Sequence, residues 1–271
     1  MSVTTTDHTA HTTHGLTGGS ADRAPESNGM SLSDPVPQYW LSPHVYVCRH
    51  GGGVILLDLK NDRFYGLTVD HSAALRPVVA GWPSEGGSNQ GVVSVGDSIQ
   101  AANSLAEVGM LTTSKASGKP VQIAKLTDAS SLCALKGSTA AKRPITSRDV
   151  ANFILACGSA ALSLRLLHFD HVVAQAQRKP PTEAVVFDPI EADQLVGIFT
   201  TLRSLAFSAR GRCLFHALAL TRFLSRYGIY PSWVIGVKPS PFQAHSWVQH
   251  DHYVLDATPE EVCFFTPILV V

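Results

Sequence analysis

Cys213, His245 and Asp256 are the residues of this 271-residue chain whose types and spacing can carry covalent chemistry. Cys213 follows Arg210-Gly211-Arg212 and opens the apolar run Leu214 to Leu220. Gly211 ends one element, so the thiol is expected in the first turn of the next helix. Unpaired backbone N–H groups, the positive end of the helix dipole and the adjacent Arg212 all favour thiolate over thiol there. The Cys213 backbone N–H is itself a candidate oxyanion donor. His245 lies in the strand-like run Ala244 to Gln249, and Asp256 ends the next run, Tyr253-Val254-Leu255-Asp256. A tight turn centred on His250-Asp251 pairs Ser246 with Leu255 and His245 with Asp256, with Cβ atoms about 5 Å apart on one face. A thiol, an imidazole and a carboxylate in that order form a nucleophile, base and orienter set.

The remaining cysteines and histidines fit other roles. His216, one helical turn after Cys213, is expected to pack on the helix face. His250 and His252 flank the turn and are expected in solvent, and Asp251 is a turn carboxylate too mobile to lead over Asp256. Cys263 has no histidine in register. Cys48 falls in a strand and Cys157 on a helical apolar face, both expected in the core.

Elements that hold these residues follow from periodicity. Residues 147–177 read as long helix, followed by a Pro180-Pro181 break, then helices at 191–207 and 212–226. Beyond Gly228 and Pro231 the pattern turns to strands at 232–237, 244–249, 252–257 and 262–267. Earlier in the chain, Val45–Cys48, Val54–Leu57 and Phe64–Leu67 are apolar runs separated by Gly51-Gly52-Gly53 and Asn61-Asp62, a three-strand meander. Helices are expected at 70–80 and 97–108, stopped by Gly81 and Gly109. The fold class is therefore α+β, in four parts: a disordered tail at 1–37, a small module at 38–112, a linker at 113–144 and a second domain at 145–271. The tail holds His8, His11 and His14 but no aromatic residue, so it cannot bury enough surface to order.

Composition limits the alternatives. With 21 basic and 21 acidic side chains the formal charge is zero, which removes the field that non-specific nucleic-acid binding requires. Five cysteines without a CxxC pair argue against a disulfide framework and a four-thiolate zinc site, so no metal is expected. The apolar stretch Val150 to Leu164 is short for a bilayer, and no signal pattern opens the chain, so a cytoplasmic protein without a membrane span is expected.

The framing of Cys213-Leu214, Ala217 to Leu220, Gly228-Ile229, Val234 to Val237, Pro241-Phe242, Ala244 to Val248 and Leu255-Asp256 resembles the lasso-peptide biosynthesis B protein family over residues 145–271. Residues 38–112 resemble the precursor recognition element joined to it in the fused form, a PqqD-like winged helix-turn-helix module. Phe215-His216 and the turn His250-Asp251-His252 depart from the usual pattern of those relatives. The resemblance implies a papain/transglutaminase-like cysteine peptidase with Cys213 as nucleophile, His245 as base and Asp256 as orienter. It also implies a leader peptide added as a strand at Phe64 to Thr68 and packed on the last module helix, with Phe64, Tyr65, Leu67, Ile99, Ala102 and Leu105 touching it. The implied partners are the lasso precursor and an asparagine-synthetase-like cyclase that uses ATP, with no cofactor bound by this chain. A non-catalytic scaffold for that cyclase and an amide-forming acyltransferase on the same fold are the alternatives.

Overall fold

The computed structural model describes residues 37–51, 53–83, 93–126, 133–134, 143–177, 187–206 and 212–271. The expected tail, with its three histidines, lies outside the described residues apart from Pro37, as do Gly211 and the Pro180-Pro181 break. The first part contains β1 (Trp40–Leu41), β2 (Val45–His50), β3 (Gly53–Asp58), β4 (Arg63–Leu67), α1 (Val69–Leu75), α2 (Val95–Glu107) and β5 (Leu111–Thr112). The expected meander is present as an antiparallel sheet in the order β2-β3-β4, while β1 pairs with β5. Thr68 caps α1 by accepting from the His71 amide. α2 starts earlier than expected because the Ser94 hydroxyl accepts from the Asp97 amide, making Ser94 the N-cap.

The run Val54-Ile55-Leu56-Leu57 is buried throughout, and each half of its alternation has its own core. Val54 and Leu56 face α1 and α2 together with Val45, Val47, Leu75 and Ala102. Ile55 and Leu57, with Cys48, instead join the core of the second half of the chain. A strand covered on both faces is apolar without alternation, which is why the sequence reads as a continuous run there. The two halves therefore share packed surface, and His50 Nδ1 lies 2.8 Å from the Thr266 hydroxyl across their junction.

The expected linker is partly structured. The Lys119 amide donates to the Leu41 carbonyl and the Val121 amide to the Ala80 carbonyl, each at 2.8 Å. Ile123 bridges to Val47 in parallel, covering the outer edge of β2. Lys119 donates from Nζ to the Pro43 carbonyl and lies 3.7 Å from the Tyr46 ring centre, and burial pulls its pKa down to about 8. Further on, β6 (Cys133–Ala134) pairs with a strand of the second sheet. Backbone pairing holds these residues, which composition alone reads as a linker.

The second half contains α3 (Ser147–Leu166), α4 (Phe169–Ala176), α5 (Pro189–Ala206), α6 (Cys213–Ser225), β7 (Ser232–Pro239), β8 (Phe242–His250), β9 (Tyr253–Val254), α7 (Pro259–Val262) and β10 (Thr266–Val270). The sheet order is β10-β7-β8-β9-β6, antiparallel except for the β6–β9 pair. The long helical stretch is two helices, because Leu167 leaves the helical conformation. Residues 259–262, expected as loop and strand, form α7 through a Thr258–Glu261 capping box. α3 is the one described helix with the length and composition to cross a membrane, longer than the apolar run suggested. Its Phe153, Ala156, Cys157 and Ala160 are buried and join the same core as Ala217, Leu220 and Leu224 of α6.

At the N-terminus of α3, Asp149 is fully buried and accepts from Tyr227 Oη at 2.5 Å, from Thr146 and from Arg143. Burial pushes this carboxyl up, but the Tyr227 and Thr146 hydrogen bonds and the Arg143 charge together hold it below the usual range.

Candidate active site

Cys213 is the first residue of α6, and no side chain caps that helix at its Arg212 N-cap. The amides of Cys213 and Leu214 have no acceptor among the described residues. The thiol is partly exposed, whereas Cys48 and Cys157 are buried, and burial raises their pKa values to about 12 and about 11. Cys213 thus differs physically from the two core thiols.

His245 sits in β8 opposite Gly236 of β7. Alternation puts it on the same face as Trp247, whose ring it stacks on at 6.1 Å and 17° between planes, and Phe265 closes in at 5.2 Å. Gly236 makes room for this stack, since a Cβ there would lie 2.7 Å from the Trp247 ring. Val248, on the other face, belongs to the core formed with α6. Burial lowers the His245 pKa, and the charge of Glu261 opposes that shift.

The register of β8 and β9 differs from the one expected. His250 pairs with Tyr253 and Gln249 with Val254, so the turn is Asp251-His252, with Asp251 at φ +49°. An aspartate tolerates that left-handed conformation, which moves the turn one residue onward. Asp256 is consequently not the direct cross-strand partner of His245. The Leu255 amide donates to the Val248 carbonyl at 2.9 Å, and the Val248 amide donates in turn to Asp256 Oδ1 at 2.7 Å. A side-chain oxygen thereby stands in for the next ladder carbonyl, and regular pairing ends at Val248. Burial raises the Asp256 pKa to about 7, against the Val248 hydrogen bond and the charge of Arg203.

Past Val248, β8 has no partner on its β9 side among the described residues. A cavity of about 820 Å³ lies there, and Cys213, His245 and Asp256 all line it, with His216, Arg203, Arg212 and Glu261. Among the described residues no direct hydrogen bond joins Cys213, His245 and Asp256. The cavity brings the three expected residues together, although they reach it from different elements and not through a shared strand pair. His250 is elsewhere, stacked on Phe187 at 3.9 Å, and is partly buried where solvent was expected. His216 is buried as expected, but it lines this cavity. Its spacing of three from Cys213, which puts both on one helix face, was the signal for that role. No cluster of three His, Cys, Asp or Glu among the described residues has the arrangement to hold a metal.

The residues expected to touch a leader peptide divide between two faces. Tyr65, Leu67, Ile99 and Leu105 are partly buried around the module core. Ala102 lies within that core at 0% exposure, so a ligand cannot reach it. Phe64 points to the opposite face and packs on Phe242 at 5.4 Å between ring centres. The outer edge of β4 has no strand partner among the described residues.

No curated protein and no solved structure matches the chain. Residues 154–270 match the family model described as the transglutaminase-like superfamily, and that stretch begins inside α3 and takes in α6 and the whole β7–β10 region. The second half of the chain therefore contains a transglutaminase-like superfamily domain, a fold of the cysteine-protease and acyltransferase type.

Proposed function

We propose that the chain binds the leader of a lasso-peptide precursor and removes it by cysteine nucleophilic catalysis, handing the core peptide to an ATP-dependent macrolactam cyclase in the cytoplasm. The observation that carries this reading is the cavity shared by Cys213, His245 and Asp256 in a domain of this superfamily. In the proposed reaction the Cys213 thiolate attacks the carbonyl before the first core residue. The α6 N-terminal amides receive the oxyanion, His245 passes the proton it took from the Cys213 thiol to the departing amine, and water then cleaves the thioester, giving one proton to His245 and releasing the Cys213 thiolate. On this reading the hydrogen bond between Cys213 and His245, absent from the empty cavity, forms when substrate fills it, since catalytic hydrogen bonds are commonly loose in apo enzymes.

The edge of β4, which has no strand partner among the described residues, supports the recognition half of the reading, because a leader added there gains main-chain hydrogen bonds. Tyr65 and Leu67 then offer it side-chain contacts. Phe64, on the other face of the same strand, contacts Phe242, whose neighbour Gln243 lines the cavity. Phe64 thus links the strand proposed to hold the leader to the strand that carries His245.

The test uses the purified chain and the precursor encoded beside its gene, followed by mass spectrometry. Cys213→Ala is expected to lower leader cleavage by about 10⁴- to 10⁶-fold while leader binding persists. Release of core peptide by Cys213→Ala at the wild-type rate would exclude the assignment. Trapping the thioester and offering water or an added amine separates hydrolysis from amide-forming acyl transfer.

A further inference from the structure

The cavity beside Cys213 is lined by charges of both signs, including Lys238 of β7, whose ammonium lies 5.7 Å from the Phe264 ring centre. Asp256, Glu260 and Glu261 lie on the β9–α7 side, and Arg203 and Arg212 on the α5–α6 side with His216. Two of the three carboxylates on the first side are engaged locally: Glu261 accepts from the Thr258 amide at 3.0 Å, and Asp256 from Val248, with the charge of Arg203 also acting on Asp256. Among the described residues neither Arg203 nor Arg212 forms an ion pair.

His216 adds an independent observation. It is only 6% exposed, and its Nε2 is enclosed without a hydrogen-bond partner among the described residues. A buried polar atom left unpaired costs free energy in the empty protein, and a ligand group that pairs with it recovers that cost. Burial, followed by the charges of Arg203 and Arg212, lowers the His216 pKa and so disfavours the imidazolium. As the Nε2–H tautomer it donates a hydrogen bond, beside two cations and the uncapped start of α6.

We propose that Arg203, Arg212 and His216 form a carboxylate subsite, which receives a carboxylate of the acyl substrate next to the carbonyl attacked by Cys213. Guanidinium groups suit this ligand because their planar fork matches the two carboxylate oxygens. The inference rests on the peptidase reading for the nature of the substrate, but its test needs no peptide cleavage.

The test compares alkylation of Cys213 by iodoacetate and by iodoacetamide, resolved by peptide mass spectrometry. Both reagents form the same S–CH₂ bond and release iodide, so the thiolate fraction cancels in the ratio of rates. Iodoacetate is expected to be faster at Cys213 by about tenfold, the scale on which a charged cleft concentrates a counter-ion. The exposed Cys133 and Cys263 are the internal controls and are expected to show no such preference. The double variant Arg203→Gln/Arg212→Gln is expected to abolish it, and His216→Gln to reduce it, with thermal melting confirming that each folds. Equal or slower reaction with iodoacetate at Cys213 would overturn the proposal, as would a preference that survives in the folded double variant.

Two affinity labels identify the source of the carboxylate. Bromoacetyl-aspartic acid α-amide carries it on the side chain and bromoacetyl-alanine at the C-terminus, each compared with bromoacetyl-alanine amide. Faster labelling by either supports the subsite and names the source, and no gain with both overturns it. Loss of leader cleavage by a protein that keeps the charge preference would remove the peptidase reading alone.

Discussion

The Val248 amide donates to the Asp256 carboxylate at 2.7 Å, so a side chain terminates the β8–β9 ladder where the cavity begins. Burial raises the Asp256 pKa to about 7, well above the usual carboxylate range. The folded state therefore holds a proton that the unfolded chain has released between about pH 4 and pH 7. Stability contributed by this group is present at the acid end and lost as pH rises through that window, at on the order of 1 kcal/mol per pH unit at most. Asp256→Asn is expected to flatten this slope in urea unfolding at pH 5, 6, 7 and 8. An unchanged slope would show that another group carries the proton.

Gly236 opposes His245, and its missing side chain accommodates the Trp247 ring on which His245 stacks. Gly236→Ala is expected to cost about 1–3 kcal/mol through overpacking. It also displaces the imidazole, so leader cleavage should fall further than the folded fraction does. Thermal melting combined with a cleavage rate per folded molecule checks both effects.

Opposite faces of β4 predict opposite phenotypes. Tyr65→Ala and Leu67→Ala are expected to weaken leader binding about tenfold or more, the loss typical of an anchoring contact. Phe64→Ala leaves the leader face intact and is expected to keep the Kd within about twofold while lowering stability by about 1–3 kcal/mol. Fluorescence polarisation with a labelled leader, alongside denaturant unfolding, separates the two.

Tyr227 anchors the far end of α6 to the buried Asp149. Tyr227→Phe removes one hydrogen bond to a charged group and is expected to cost about 1.5–3 kcal/mol in urea unfolding. Cleavage per folded molecule should not change, because Cys213 lies at the other end of the helix.

Much of this architecture was legible in the sequence where one signal acted alone. Gly109 marked the end of α2, Pro231 preceded β7, and the helical onset at Cys213 agrees with α6. Errors arose where side chains redirected the backbone. Asp251 adopts a left-handed conformation without glycine and moves the turn, and Thr258 with Glu261 builds a helix in a segment read as loop and strand. The cavity residues Arg203 and Glu261 were invisible, since only tertiary packing brings α5 and α7 to the thiol. The polar stretch 113–126 misled because its attachment is through backbone hydrogen bonds, which composition does not report.

That attachment changes how the polypeptide can be divided. Severing it between Thr112 and Thr113 would strip the β2 edge of Ile123 and expose the flank of Leu41, leaving raw margins prone to sticking. A two-piece version of the protein would better keep everything through Leu126 with the first fragment. Even then, Ile55 and Leu57 would lose the neighbours they are buried against, so the fragments should be made together and allowed to find each other.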